Sequence, residues 1–372
     1  MLSSLHIKNF RGVNEISIEH LGQVNLLVGK NNVGKTTILE ALSVYGSEPS
    51  NLSLVLRSIL EMRDDQIRPG TDDMGTFLRI FHTGNIDEEL YIGPIQPSQM
   101  GVTIQTGWAF LERAEDGISY KHERGNWFKA VKPTREIDPV LIVDRSGAQS
   151  VVEFNDRRFS PRRVKESVRR LSSFFLRSSG LTNEEMNFLW DSIALTSKED
   201  QVVEALRLID PGIDRITLIE GDDENARSRY SGRRDRSSTR FPFFRRKGAS
   251  PEPIPLRNLG DGMTRLFELS LSLVSTENGQ LLIDEVDSGL HYLALEDIWN
   301  FIFRLSRDLK VQVFATTHSA DCIGAFSRAA EASDNEGMII RLQREELDGK
   351  LYATPYDEAE LNIITRHKIE VR

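Results

Sequence analysis

Gly29-Lys-Asn-Asn-Val-Gly-Lys-Thr-Thr37 is the stretch on which the fold turns. It satisfies the spacing G-x-x-x-x-G-K-[ST], and its flanks are of the matching kind. Val24, Leu26, Leu27 and Val28 before it read as a short apolar strand; Ile38, Leu39, Ala41 and Leu42 after it share a helix face. Gly29 and Gly34 allow the backbone to bend, so that the N–H groups through Asn31, Asn32 and Val33 can point at phosphate oxygens. The helix that begins near Lys35 adds its N-terminal partial charge. Lys35 is then expected at the β- and γ-phosphates, the Thr36 hydroxyl on Mg²⁺, and Thr37 beside them. A plain Gly/Asn turn between strand and helix would not require the Lys-Thr pair. The segment predicts a nucleoside triphosphate site, with ATP as substrate and Mg²⁺ as its metal.

The rest of the composition fits a globular body with a large core. The chain has 372 residues, 39% of them hydrophobic and 28% charged. A net charge of −9 argues against a uniformly basic nucleic-acid coat while leaving room for a local basic patch. A single cysteine, Cys322, excludes an intrachain disulfide and fits a reducing compartment. No window reaches the apolar length of a membrane span, and the start of the chain lacks a signal-peptide core. The expectation is a cytoplasmic protein without membrane association.

A second half-site is written far downstream. Leu281-Leu-Ile283 is a strand that ends in Asp284-Glu285, which puts two carboxylates at the edge of a buried sheet. Asp284 is suited to hold Mg²⁺ through its water shell, and Glu285 to orient and deprotonate an attacking water. Alone, such a pair reads more readily as a core strand followed by a solvated acidic turn; with the loop at 29–36 it reads as catalytic. Three further segments flank it. Leu259-Gly-Asp-Gly-Met-Thr-Arg265 is a Gly-rich turn entering an apolar helix, Asp287-Ser-Gly-Leu-His291 follows the carboxylates, and Val311-Gln-Val-Phe-Ala-Thr-Thr317 is a buried strand delivering His318 and Ser319.

The order of these segments resembles the ABC-type ATPases: phosphate loop, signature turn, acidic strand end, D-loop, switch histidine. With Ile7-Lys-Asn-Phe-Arg-Gly12, Asp284-Glu-Val-Asp-Ser-Gly-Leu-His291 and Ala315-Thr-Thr-His-Ser319, it is similar to the RecF/SMC branch, and within it to the OLD-type ATPases (overcoming lysogenization defect). The resemblance implies an α/β P-loop head of ABC type with an inserted β-strand lobe and a helical arm. It places Arg11 at the nucleotide and His318 as a sensor of the γ-phosphate. It also implies that Gly260, Asp261 and Gly262 reach the γ-phosphate held by a second subunit, with Asp287 and Ser288 on the same interface. The turn reads Leu-Gly-Asp-Gly-Met where transporters carry Leu-Ser-Gly-Gly-Gln. Gln66, Gln96, Gln105 and Gln149 are all open as a Q-loop.

Three parts of the chain are expected: residues 1–155 as an amino-terminal lobe with strands over 76–155, residues 156–210 as a helical arm, and residues 211–372 as the carboxy-terminal lobe. The arm reading rests on Val164, Val168, Leu171, Phe174 and Phe175, followed by Val202, Val203, Leu206 and Leu208. Two basic stretches, Arg157–Arg170 and Arg227–Lys247, make DNA a candidate partner, while a solvated or protein-docking face explains them as well. Asp222-Asp-Glu224 reads as an acidic loop tip. OLD nucleases carry a TOPRIM domain after the ATPase; the roughly 50 residues after His318 are too few for one and hold no Asp-x-Asp. The expected protein is therefore an ATPase that dimerises on ATP and acts through a separate effector, such as a TOPRIM-like nuclease, in phage defence or DNA maintenance. The competing classes are an ATP-locked scaffold or sensor with little turnover, and a transporter nucleotide-binding subunit.

Overall fold

The computed structural model describes residues 1–49, 51–61, 77–114, 117–127, 129, 137–153, 172–220, 240–248, 252–333, 337–345 and 349–356. The chain opens with an antiparallel hairpin, β1 (Leu5–Phe10) and β2 (Val13–Ile18), then β3 (Val24–Val28) and the helices α1 (Lys35–Gly46) and α2 (Leu52–Glu61). Five strands follow: β4 (Leu90–Gly93), β5 (Val102–Ala114), β6 (Gly117–Arg124), β7 (Ile137–Arg145) and β8 (Ala148–Glu153). The middle of the chain supplies β9 (Ser173–Leu176), α3 (Asn183–Ile193), α4 (Ser197–Arg207), β10 (Ile213–Glu220), β11 (Arg240–Arg246) and β12 (Ile254–Pro255). The last part alternates helix and strand: α5 (Asp261–Ser275), β13 (Gln280–Ile283), α6 (Leu295–Asp308), β14 (Gln312–Thr316), α7 (Ala320–Ala332), β15 (Gly337–Arg344) and β16 (Leu351–Tyr356).

The sheet that carries the site runs β16-β15-β3-β14-β13-β9, with every pair parallel except β15–β16. Strands buried on both faces are mostly apolar, as β3 (VNLLV) and β14 (QVFAT) are apart from the buried Asn25, Gln312 and Thr316. Their side chains still alternate between two separate cores. Val24, Leu26, Val28, Leu281, Ile283, Val313 and Ala315 face a core shared with α3 to α7, whereas Leu27, Leu282 and Phe314 face one shared with α1 and the antiparallel lobe. That lobe is a seven-stranded sheet in the order β2-β1-β4-β5-β7-β8, with β6 paired to the far half of β5. A small sheet, β10-β11-β12, completes the described residues.

Helix termini are set by local chemistry. Gly34 and Gly260 precede α1 and α5 with φ of 112° and 92°, conformations that disfavour any side chain. Thr182 and Glu185 form a reciprocal capping box on α3, each satisfying the other's backbone N–H. Helix α6 buries Leu295, Ile298, Trp299, Ile302, Phe303 and Leu305, a helical spacing that seats Trp299 edge-on to Phe326 of α7 at 4.9 Å.

The strands expected over 76–155 are present as β4 to β8. The arm requires correction. Phe174 and Phe175 lie in β9, paired in parallel to Leu281 and Leu282 at the edge of the site-bearing sheet, and not on a helix face. Two adjacent aromatics carry no periodicity, so tertiary pairing decided between strand and helix. Helices α3 and α4 do form, but they pack on the head: Trp190 stands 5.9 Å from Phe267 of α5, and Val202, Val203 and Leu206 share its core. Val164, Val168 and Leu171 lie outside the described residues, as do Arg157–Arg170, Arg227–Arg236 and the acidic tip at 222–224.

Candidate functional site

The parallel pairing of β3, β14 and β13 brings three carboxyl ends to one edge, where open α/β sheets place ligands. The loop after β3 closes tightly. A Cβ on Gly29 would lie 2.5 Å from the Leu342 carbonyl oxygen of β15, so only glycine fits there. Asn32 takes the left-handed φ of 63°, and the Gly34 carbonyl accepts the first bond of α1 from Ile38 at 3.0 Å. Lys35 folds back over the loop, its Nζ donating to the carbonyls of Gly29 (2.7 Å) and Lys30 (3.0 Å). Burial lowers its pKa, while Asp284 and Glu285 pull in the opposite direction.

Opposite the loop stands the end of β13. The Thr36 hydroxyl lies 3.2 Å from Asp284 Oδ1, which also accepts from the Thr316 hydroxyl at 2.7 Å. Thr316 Oγ1 in turn accepts from the Glu285 N–H at 2.8 Å, so one hydroxyl of β14 holds both acidic residues. Glu285 sits at a left-handed φ of 48°, and its Oε1 is 4.0 Å from His318 Nδ1; both side chains are about half exposed. Arg11 faces the same space from the β1–β2 turn, with φ of 50° and its Nε 3.4 Å from the buried Glu40. Burial pushes the Cys322 thiol up to about 12, so it is a packing residue and not a nucleophile.

These groups surround a cavity of about 670 Å³. Of the residues predicted from sequence, Arg11, Asn31, Asn32, Gly34, Lys35, Thr36, Thr37, Asp284, Glu285 and His318 line it. Gly29 and Val33 stand behind the loop, Val33 inside the core. Gly260, Asp261, Gly262, Asp287 and Ser288 are not in its wall; they form a corner of their own, in which a Cβ on Gly262 would meet the Gly289 carbonyl oxygen at 2.6 Å. The D-loop is tied back to the end of β14 by Thr317 Oγ1, which donates to Asp287 Oδ1 at 2.6 Å.

Sequence reasoning missed Arg79, Thr83 and Arg344, which also line the cavity. They come from a turn before β4 and from the end of β15, segments without motif, so no local signal identifies them. None of Gln96, Gln105 and Gln149 lines it, and Gln66 is outside the described residues. Of the basic stretch at 227–247, Arg240, Arg245 and Arg246 are paired with Asp191, Asp214 and Asp210 at 2.8, 3.2 and 2.6 Å. No helix among the described residues is long and apolar enough to cross a membrane.

A β3–loop–α1 unit facing Asp-Glu at the end of a parallel strand defines a P-loop ATPase. Residues 24–321 match the family described as "AAA domain, putative AbiEii toxin, Type IV TA system", and the chain belongs to that family. It is similar to an uncharacterized protein, MJECL10, of Methanocaldococcus jannaschii, 45% identical over 34% of this chain; the match spans 57% of that relative. An ATP/GTP phosphatase of Helicobacter pylori is 21% identical over 90% of both chains. The DNA replication and repair protein RecF of Shewanella pealeana is 30% identical over 24% of this chain and 26% of its own.

Proposed function

We propose that this chain hydrolyses ATP, that two copies sandwich the nucleotide, and that the cycle controls a separate effector acting on DNA. One observation carries the reading. Lys35, Thr36, Asp284, Glu285 and His318 meet around one cavity, while the signature turn at Gly260–Gly262 is built and packed outside it. A helix N-terminus with two glycines suits a γ-phosphate, and within one chain it has none to meet. The names of two relatives, a phosphatase and a DNA repair protein, point the same way.

In this reading Lys35 leaves its loop carbonyls for the β- and γ-phosphates. Glu285 orients a water for attack on the γ-phosphorus and takes its proton; the bond to the β–γ bridging oxygen breaks, and ADP and phosphate leave. His318, within reach of Glu285 and the cavity, senses whether the γ-phosphate is present. Thr36 and Asp284 offer a hydroxyl and a carboxylate, hard oxygens at the fitting place for Mg²⁺, which would neutralise phosphate charge when bound. The γ-phosphate then joins the two copies, and its loss releases them.

Light scattering tests the sandwich. Glu285→Gln is expected to be dimeric with ATP and monomeric with ADP; a monomer in both, at concentrations well above the nucleotide Kd, overturns it. The effector reading predicts that the purified chain leaves plasmid DNA uncut in Mg²⁺ or Mn²⁺. Cleavage that survives both Lys35→Ala and Glu285→Gln would put the effector activity in this chain.

A further inference from the structure

Behind the catalytic pair lies a buried cation that the hydrolysis scheme above does not use. Arg265, on the second turn of α5, is 5% exposed. Its Nη1 donates to the Arg177 carbonyl at 2.7 Å, just after β9. Its Nη2 donates to the carbonyls of Asp284 (2.8 Å) and Glu285 (3.2 Å). The Glu268 carboxylate, one turn along the helix, lies 3.9 Å from Nη1 and accepts from the Leu181 N–H at 3.2 Å. The guanidinium thus ties together β9, the end of β13 and the helix that begins with the signature turn.

The backbone it holds is an unusual one. Glu285 occupies the left-handed region, where a residue carrying a Cβ has no intrinsic reason to stay. Its peptide is fixed from two sides: Thr316 takes the N–H, and Arg265 takes the C=O. If the carbonyls of residues 284 and 285 were released, the peptide could relax toward an ordinary conformation and turn the carboxylate away from the cavity. A lysine could not replace this fork, because an ammonium is a compact charge on a flexible stem and lacks the planar set of donors.

We infer that Arg265 is a positioning residue for hydrolysis, holding the Asp284 and Glu285 carbonyls so that the Glu285 carboxylate faces the γ-phosphate. The inference rests on the assignment of Glu285 as general base. It separates two quantities: nucleotide binding, which depends on the loop after β3, is untouched by Arg265, whereas turnover depends on it. Because the arginine sits one turn beyond Asp261, any shift of α5 when the turn engages a second copy reaches Glu285 through the same bonds.

The test uses the full chain carrying Arg265→Lys, Glu285→Gln and both together. Fluorescent ATP binding, single-turnover phosphate release and thermal midpoint are measured for each. Arg265→Lys is expected to slow phosphate release by roughly 10- to 100-fold, the scale of a slightly misplaced catalytic group. Its nucleotide Kd should stay within about threefold, and in the Glu285→Gln background it should add less than about threefold, as for groups acting as a unit. Wild-type release in Arg265→Lys, with release lost in Glu285→Gln, overturns the inference alone. An equal loss in both backgrounds shows a general defect of the fold and overturns it too. Wild-type release in Glu285→Gln refutes the base assignment and the inference with it. Should the lysine variant unfold at assay temperature, Arg265→Met with Glu268→Leu removes the buried charge pair as a whole and replaces it by apolar packing. The same outcomes then apply.

Discussion

The cavity at the strand ends and the corner made by the signature turn and the D-loop meet in sequence at residues 284–288, yet they are finished to different degrees. At the cavity, three strand ends supply hydroxyls and a carboxylate that already contact one another, as in the bonds from Thr36 and Thr316 to Asp284. At the corner, Gly262 and Gly289 are packed backbone to backbone, and Gly260 and Asp261 are exposed to solvent and stand outside the cavity's wall. A site that binds a ligand within one chain spends its polar groups inward. A surface of ordered glycines and a free helix N-terminus is instead built to be met by something else. Under the proposed sandwich, affinity and turnover would be divided between copies, and each half can be broken separately.

The largest effect falls on the finished half. Glu285→Gln should retain ATP binding and slow single-turnover phosphate release by roughly 10²–10⁴-fold, the loss expected for a general base. An unchanged rate would remove Glu285 from the mechanism. Next is Lys35→Ala, which deletes a charged donor facing the phosphates; ATP affinity should fall by roughly 10- to 100-fold in fluorescent-nucleotide titrations.

The unfinished half is sharpened by mixing chains. Asp261→Trp adds bulk at an exposed position, whereas any side chain at Gly262 would strike its own Gly289 carbonyl and disturb the D-loop in cis. Asp261→Trp alone should bind ATP normally and turn over poorly. Mixed with Lys35→Ala it should regain turnover, since a mixed pair contains one site with neither defect. A mixture no more active than its components would place signature turn and cavity in the same chain.

The smallest effect concerns stability behind both halves. Burial raises the Glu268 carboxyl to about 7, against the opposing Leu181 N–H and Arg265 and with a small push from Glu185. Its proton is held more tightly in the folded chain than in the unfolded one. The resulting stability is complete below about pH 4.5 and is lost as pH rises through about 7. Compared with Glu268→Gln, the wild type should therefore lose up to roughly 3 kcal/mol across that window, an upper bound from the size of the shift. Denaturant midpoints at pH 5 and pH 8 check it; a difference between the two proteins that is the same at both pH values would rule it out.

Much of the cavity was legible in the sequence because its parts are local. The loop at 29–37 is contiguous, and Asp284, Glu285 and His318 each follow an apolar run that could only be a buried strand. Strand β9 was not legible, since Phe174-Phe175 is too short to declare a period and owes its state to pairing with β13. Arg79 and Arg344 enter the cavity from segments distant in sequence, so nothing near them announces a ligand. Arg265 was hidden for another reason: an arginine in an amphipathic helix reads as solvated, and only its carbonyl partners show that it is buried. The arginines of β11 illustrate the converse: Arg240, Arg245 and Arg246 belong to a basic run, yet each is paired with an aspartate.

The order of the parallel sheet also fixes when the site can exist during synthesis. Strand β3 has β14 and β15 as its two neighbours, and both are encoded near the other end of the chain. At about 5–20 residues per second, a ribosome takes on the order of 15–60 s between releasing β3 and releasing the first of these partners. For that interval the phosphate loop hangs from an apolar strand with both edges unpaired, while the hairpins of the antiparallel lobe have local partners and can close early. The nascent chain must therefore shield β3 with its own lobe or with a chaperone, and the nucleotide can help folding only after β14 has been made.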